Sequence, residues 1–258
     1  MDWLPPALVD LPDVAPSVSA PVDFRNGWFW AIVAGIAVFW VLAYGLSIHR
    51  GFVDKFVGIP VVIVAINFAW EFVHSFVIDQ EPAQRPANFV WFFVDIVIVT
   101  QVVKYGHKDF PRLSRQLFLR LFFGLVAIAA VQLFLMAREW RDILGMYSGC
   151  ALNVGMSAAF IVMLVKRRSS AGQSVYAAIC KMLGSQLAGL NVLIIFPDRY
   201  LVLSWFVMML VLDLVYIRLL HRQIRAEGQS PWNLNRPPVA GPPVPAPTPA
   251  PRERVVPA

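Results

Sequence analysis

Seven stretches of this sequence are apolar over a length that matches the hydrocarbon layer of a bilayer. They run roughly 28–48, 56–78, 88–104, 117–137, 143–165, 174–195 and 201–221. A helix of about 20 apolar residues crosses that layer. No water is present there to pair with backbone groups, so each stretch must satisfy its hydrogen bonds within a helix. The sequence therefore predicts an all-α, polytopic membrane protein, a seven-transmembrane-helix bundle. Composition agrees, since 58% of the 258 residues are hydrophobic and only 15% are charged. A soluble domain keeps about a quarter of its residues charged. An ordinary soluble enzyme and a disordered chain are both excluded. The net charge of +6 does not point to nucleic acid. The basic residues lie between apolar blocks rather than along a groove, which fits membrane topology.

The loops alternate in charge along the chain. The segments after spans one, three and five carry +1, +3 and +3, and the tail from Arg218 carries +4. On the opposite side the N-terminus carries −3, the 79–87 loop −1, and the loops at 138–142 and 198–199 zero. Basic loops stay in the cytoplasm, so the N-terminus is expected outside and the C-terminus in the cytoplasm. The expected organisation is an acidic extracytoplasmic segment 1–27, a bundle 28–221 and a disordered Pro-rich tail 222–258. The N-terminal segment lacks the basic start of a cleaved signal. The tail is read as solvated polyproline-like chain rather than a partner-binding arm. The expected location is an integral, multi-pass position in a bacterial cell membrane. Cys150 and Cys180 fall in apolar blocks and read as buried free thiols. No internal repeat suggests an inverted-repeat transporter. The oligomeric state is not legible.

Three of the 16 acidic residues lie inside spans: Glu71, Asp95 and Asp213. Each costs about 2.5–3.5 kcal/mol near the bilayer centre, and such residues usually face the bundle interior with a task. The plainer reading is an interhelical hydrogen-bonded strut. Asn67, Glu71 and His74 are spaced to share one helix face. Trp91 precedes Asp95 by four residues, and Trp205, Met209 and Tyr216 lie at helical spacing around Asp213. Aromatic stripes in membrane helices mostly pack, but ring faces around an acid stabilise cations. A proton donor in an aromatic-walled pocket suits carbocation chemistry, and it suits a proton relay equally. By depth, Glu71 and Asp95 fall in the outer half and Asp213 nearer the middle, so one cavity open to the outer leaflet is expected.

Lys181, about two turns from the cytoplasmic end of span six, is expected to snorkel. Pairing with an acid is the alternative. Asn153, Gln186 and Asn191 are read as interhelical partners or pocket groups. The sequence has no adjacent-aspartate cluster for magnesium, no DxDD, no P-loop, no GxSxG and no HExxH. The four histidines are scattered, so no metal or other cofactor is expected. Span seven lacks a lysine for a retinal Schiff base.

Four motifs then resemble a known family. They are Asn67–Trp70–Glu71; Trp91–Phe92–Asp95; the basic loop from Arg167 and Arg168 into Gly172–Gln173–Ser174, followed by Lys181 and Gly184; and Leu212–Asp213–Tyr216. In this order they resemble the integral-membrane terpene cyclases of fungal meroterpenoid and indole-diterpene pathways, with bacterial relatives acting on indole terpenoids of the drimentine type. The resemblance covers about residues 56 to 221. The acidic N-terminal extension and long tail depart from it. It implies a metal-free enzyme that protonates the terminal alkene or epoxide of a prenylated, farnesyl-type aromatic or indole substrate. A cation cascade then closes rings, a net isomerisation. By carry-over Glu71 and Asp213 are the acid candidates. Asp95 either orients the acid or takes the last proton. Asn67, Trp70, His74, Trp91, Phe92, Trp205, Met209 and Tyr216 are expected to line the substrate site. The partners implied are that substrate and membrane lipid. The competing reading is a proton-coupled small-molecule transporter using the same acids as a relay, and a third is a scaffold whose acids are struts.

Overall fold

The structure, a computed structural model, describes residues 27–78 and 84–239. Its long elements are seven α-helices: α1 (Gly27–Asp54), α2 (Val61–Phe72), α3 (Arg85–Tyr105), α4 (Arg115–Glu139), α5 (Met146–Arg167), α6 (Val175–Ile195) and α7 (Tyr200–Ala226). A π-helical turn, Val73–Val77, continues α2, and a short 3₁₀ turn, Gly106–Asp109, follows α3. All regular elements among the described residues are helical. The acidic N-terminal segment, most of the 79–87 loop and the tail beyond Val239 lie outside the described residues.

Six of these helices are long and apolar enough to cross a membrane, and the stretch Val61–Val77 is apolar but shorter. The second span was expected from residue 56. Pro60 sets its start, with an extended ψ of 126° just before Val61. Proline lacks an N–H and its ring favours the beginning of a helix over its interior. The preceding residues Phe56, Val57, Gly58 and Ile59 are apolar but form a buried link. Hydropathy alone therefore overstated the length of this helix.

Helix α2 sits near the centre, against α3 and α4, while α1 packs on α6, and α7 on α5 and α6. Small residues on α2, Ala65 and Ala69, are fully buried, as close helix approach in a membrane requires. Exposed apolar side chains such as Ile128, Val162 and Val207 cover the outside. That surface matches lipid rather than water.

One end of the bundle is closed by buried arginines. Arg167, at the end of α5, donates Nε and Nη2 to the Asp109 carboxylate at 2.9 and 2.5 Å. Its Nη1 reaches the carbonyls of Val57 and Ala171 at 3.2 and 2.5 Å. Arg50 holds Asp54 at 2.7 and 2.6 Å and donates to the carbonyls of Arg236 and Pro237. Asp54 in turn accepts the backbone N–H of Gly172 at 2.7 Å. Gly172 has φ +78°, and a Cβ there would stand 2.8 Å from the Val57 carbonyl oxygen. Only glycine fits both demands. The Gly-Gln-Ser motif is thus a backbone junction between the α1–α2 link and the α5–α6 loop.

The stretch expected to begin a disordered tail at residue 222 is folded up to Val239. Helix α7 runs to Ala226, and Arg236 is buried, donating to Ser170 Oγ at 2.7 Å and to the Gln173 carbonyl. Glu227 accepts from the Ser170 backbone at 2.7 Å. The polar composition that suggested solvation reflects a hydrogen-bonded cap over the loops.

The fork geometry of Arg167 yields a prediction. A lysine presents a point charge and cannot serve two carbonyls and a bidentate carboxylate. Arg167→Lys is expected to lose roughly 2–4 kcal/mol of stability, read as a lowered thermal midpoint in detergent. Wild-type stability in that variant would remove Arg167 as the fastener of this end.

Candidate active site

Two clusters inside the bundle hold the three acids. The first lies between α1, α2 and α3. Asn67 and Glu71 are one turn apart on α2, and Trp91 and Asp95 one turn apart on α3, so each pair shares a face. The Asn67 amide donates to Asp95 Oδ2 at 2.7 Å and to the Tyr44 hydroxyl at 3.1 Å. Tyr44 is also hydrogen-bonded to the Asp95 carboxyl, and Glu71 lies within electrostatic reach of it. Both acids are buried, and Glu71 Oε2 has no hydrogen-bond partner. An unpaired polar atom in such surroundings is costly and needs an explanation. Rings wall the cluster: the Tyr44 ring centroid lies 5.1 Å from that of Trp91 and 6.0 Å from that of Trp40.

The second cluster joins α5, α6 and α7. Lys181 donates to both oxygens of Asp213 at 2.8 and 3.0 Å and also to Ser157 Oγ. Its three N–H donors are thereby used. Lys181 is 4% exposed, so the expected snorkelling is corrected. An acid on the next helix neutralises the ammonium inside the bundle, and the side chain has no reason to reach the interface. One turn on from Asp213, Tyr216 donates to Gln173 Oε1 at 2.9 Å and its ring lies 5.0 Å from Phe160.

A cleft separates the two clusters. Trp40, Tyr44, Phe160, Gln173, Lys181 and Tyr216 are among the residues on its wall. Its open volume is about 30 Å³, room for one or two waters, so a prenyl chain enters only as side chains or helices part. Glu71, Asp95 and Asp213 stand behind this wall, with Tyr44 and Lys181 between them and the cleft. Gly58 and Ser174 also line it, which puts it toward the arginine-closed end of the bundle.

The remaining expected site residues go elsewhere. His74 stacks on Trp70 with ring centroids 4.1 Å apart, and its Nδ1 meets the Trp70 carbonyl at 2.9 Å. The pitch changes at the π-helical turn from Val73, which carries His74 toward Trp70 instead of Asp95. Trp70 donates to Ser148 Oγ at 3.0 Å. Ser148 is fixed by Asp142, which accepts its backbone N–H at 2.7 Å and that of Tyr147 at 3.0 Å. Burial raises the Asp142 carboxyl above its ordinary value, while these N–H donors oppose the rise. Gly145 has φ +65°, and a Cβ there would stand 2.4 Å from the Trp70 ring. Phe92 belongs to a phenylalanine group, 5.0 Å from both Phe68 and Phe76. Trp205 lies 6.3 Å from Tyr147, and Met209 packs with Val202 and Phe206. Phe92, Trp205 and Met209 are not brought to the cleft.

Sequence reasoning missed Trp40, Tyr44 and Phe160. Trp40 and Tyr44 are one turn apart on the first span, an aromatic pair of the kind weighed elsewhere. No acid on the first span marks them out in the sequence. Among the described residues no three His, Cys, Asp or Glu side chains are grouped closely enough to hold a metal ion.

Comparison with known proteins bears on this arrangement. A family model described as Pyr4-like transmembrane terpene cyclases matches residues 18–225. A Pyr4-family terpene cyclase of Annulohypoxylon moriforme is 30% identical over 165 residues, 62% of this chain and 66% of that protein. An asnovolin H synthase of Aspergillus novofumigatus is 28% identical over 153 residues, 58% of this chain and 63% of the other. A terpene cyclase of Aspergillus fumigatus is 26% identical, covering 67% of this chain and 74% of the relative. The chain spans slightly less than two thirds of the first two relatives. No solved structure matches it. All three relatives are fungal, so they lend no support to the bacterial membrane expected from the sequence.

Breaking a buried ion pair costs more than replacing both partners. Lys181→Met alone is expected to destabilise the bundle by roughly 3–5 kcal/mol, and adding Asp213→Leu to recover most of it. Thermal unfolding of the two variants in lipid nanodiscs checks this. Equal losses in the single and the double variant would contradict a pair held mainly by mutual neutralisation.

Proposed function

This chain belongs to the Pyr4-like transmembrane terpene cyclases, and from that membership we propose that it is a membrane-bound, metal-independent terpene cyclase. Its substrate is a prenylated, farnesyl-type aromatic or indole compound, drawn from the membrane. The enzyme protonates the terminal alkene or epoxide of the prenyl chain, and the cation that forms closes rings before losing a proton. The proton-coupled transporter considered from the sequence is not favoured by a family of cyclases.

The observation that carries this reading is the buried Glu71–Asp95 pair, with Asp95 hydrogen-bonded through Asn67 and one Glu71 oxygen unpaired. Two acids in one apolar environment divide their roles, one a neutral donor and the other an anion. Glu71 is the donor in this proposal, and Asp95 orients it and takes back the final proton. Asp213, ion-paired to Lys181 behind the cleft wall, holds that lysine in place rather than acting as the first acid. A carboxylic acid is a poor protonator of carbon, so the rate gain rests on positioning and on stabilising the cation. Trp40, Trp91, Phe160 and Tyr216 supply ring faces for that.

The proposal includes the topology. Val61–Val77 counts as a seventh span, at the short end of the length that crosses a bilayer. The N-terminus lies outside and the arginine-closed end faces the cytoplasm, and the bundle unit extends past residue 221 to include the end of α7 and the cap held by Arg236. Basic loops on alternate sides support that orientation.

The test uses membranes containing the protein, incubated in D₂O with a panel of prenylated indoles and phenols, with and without a terminal epoxide. An isomer of one substrate is expected. An alkene substrate gives it with one deuteron on carbon, and an epoxide gives a ring alcohol whose deuteron washes out. Glu71→Gln is expected to slow turnover by about 100-fold or more. Normal turnover in Glu71→Gln, or no isomer from any member of the panel, would count against the cyclase.

A further inference from the structure

The end of α7 and the segment beyond it enclose an open pocket of about 440 Å³, apart from the cleft and its acids. Leu214, Ile217, Arg218, His221 and Arg222 line it from α7, and Trp232 lines it from the following segment. Their spacing puts the five α7 residues on one helix face. Along that face the chemistry changes in order. Two apolar residues come first, then two arginines and a histidine toward the helix end at Ala226.

Trp232 is fixed in place. The Tyr176 hydroxyl, from the first turn of α6, donates to the Trp232 carbonyl at 2.9 Å. The Trp232 ring lies 6.0 Å from that of Tyr176 and 5.8 Å from that of His221. The Asn233 N–H closes the turn onto the Ser230 carbonyl at 3.2 Å. Even so, Trp232 is 54% exposed. A half-exposed indole at the end of a membrane helix fits the zone where aromatic rings meet lipid headgroups.

The arginines are exposed, and among the described residues neither has an acid or a hydrogen-bond partner. The acids nearest along the chain are taken: Asp213 by Lys181, and Glu227 by Ser170 and Gln223. Like charges one turn apart on a helix repel, so an anion between Arg218 and Arg222 relieves the pair. A guanidinium fork fits the oxygens of a phosphate. The order along α7 says which phosphate. A free ion would use the arginines and leave Leu214 and Ile217 bare. A phospholipid uses both, because α7 is long and apolar enough to span the bilayer.

We propose that this pocket binds one anionic phospholipid. Arg218 and Arg222 hold its phosphate, and its acyl chain runs along Leu214 and Ile217. The inference rests on α7 spanning the membrane and is independent of the cyclisation chemistry. Such a lipid also braces the segment of Trp232, whose Arg236 donates to the Gln173 carbonyl. Binding to the folded state alone raises the unfolding temperature.

The experiment uses the full chain purified in detergent. It reads lipid binding by native mass spectrometry and the thermal midpoint in parallel. The probes are phosphatidylglycerol, phosphatidylcholine with the same acyl chains, and inorganic phosphate. Wild type is compared with Arg218→Gln/Arg222→Gln. The control, Arg112→Gln/Arg115→Gln, removes the same charge from exposed residues at the same end. Wild type is expected to retain one phosphatidylglycerol, about 10-fold or more tighter than phosphatidylcholine, and to melt higher with it. The Arg218/Arg222 variant is expected to lose the preference and the rise in midpoint, and the control to keep both. Equal affinity of wild type for the two lipids, or wild-type affinity in the Arg218/Arg222 variant, overturns the proposal. An equal loss in the control would show a diffuse basic surface and overturn it as well. Displacement of the lipid by inorganic phosphate at comparable concentration would assign the arginines to a free anion instead. Should the arginine variant fail to fold, Trp232→Ala decides. It is expected to weaken phosphatidylglycerol binding, and unchanged binding there contradicts the site.

Discussion

A carboxyl group inside hydrocarbon must be neutralised, hydrogen-bonded or left neutral, and the three acids of this bundle sit in three different settings. Asp213 meets an ammonium from the neighbouring helix. Asp95 is bound by the Asn67 amide and the Tyr44 hydroxyl. Glu71 keeps one oxygen without a partner. Helix positions follow from these choices. Asn67 ties α2 to α1 and α3, and Lys181 ties α6 to α5 and α7. The cleft is what remains between the two polar knots. Its wall is aromatic because the rings of α1, α5 and α7 fill the space next to them.

The arginine-closed end sets how that cleft is bounded. Gln173 comes from the α5–α6 loop, receives Tyr216 on its side chain and Arg236 on its carbonyl. Gly172, one residue earlier, is held by Asp54, which Arg50 holds in turn. A chain of hydrogen bonds therefore runs from the segment after α7, through the loop, to a ring on the cleft wall.

The helical class, six of the spans and the three intramembrane acids were legible in the sequence because the bilayer imposes a length and penalises charge. Asn67 beside Asp95 was legible only in part. Helical spacing placed Asn67 and Glu71 on one face, but nothing in one dimension says which helix stands opposite. For the same reason Lys181 was given to the interface when Asp213 lay across from it. Periodicity failed at His74, where a π-helical turn changes the pitch, and at residues 56–60, where apolar character continues without a helix. The folded stretch 227–239 was hidden because its bonds go to loops far away in sequence. Tyr44 was missed since its importance comes from its neighbours on α2 and α3, not from its own span.

The central claim is that Glu71 and Asp95 act as one proton-donating unit. A double-mutant cycle on turnover tests it most directly, using Glu71→Gln, Asp95→Asn and the double variant on a confirmed substrate. Groups that act as a unit are strongly non-additive. The account predicts that the double variant is little worse than the more damaged single one. Losses that multiply through the cycle would show two independent groups and contradict it.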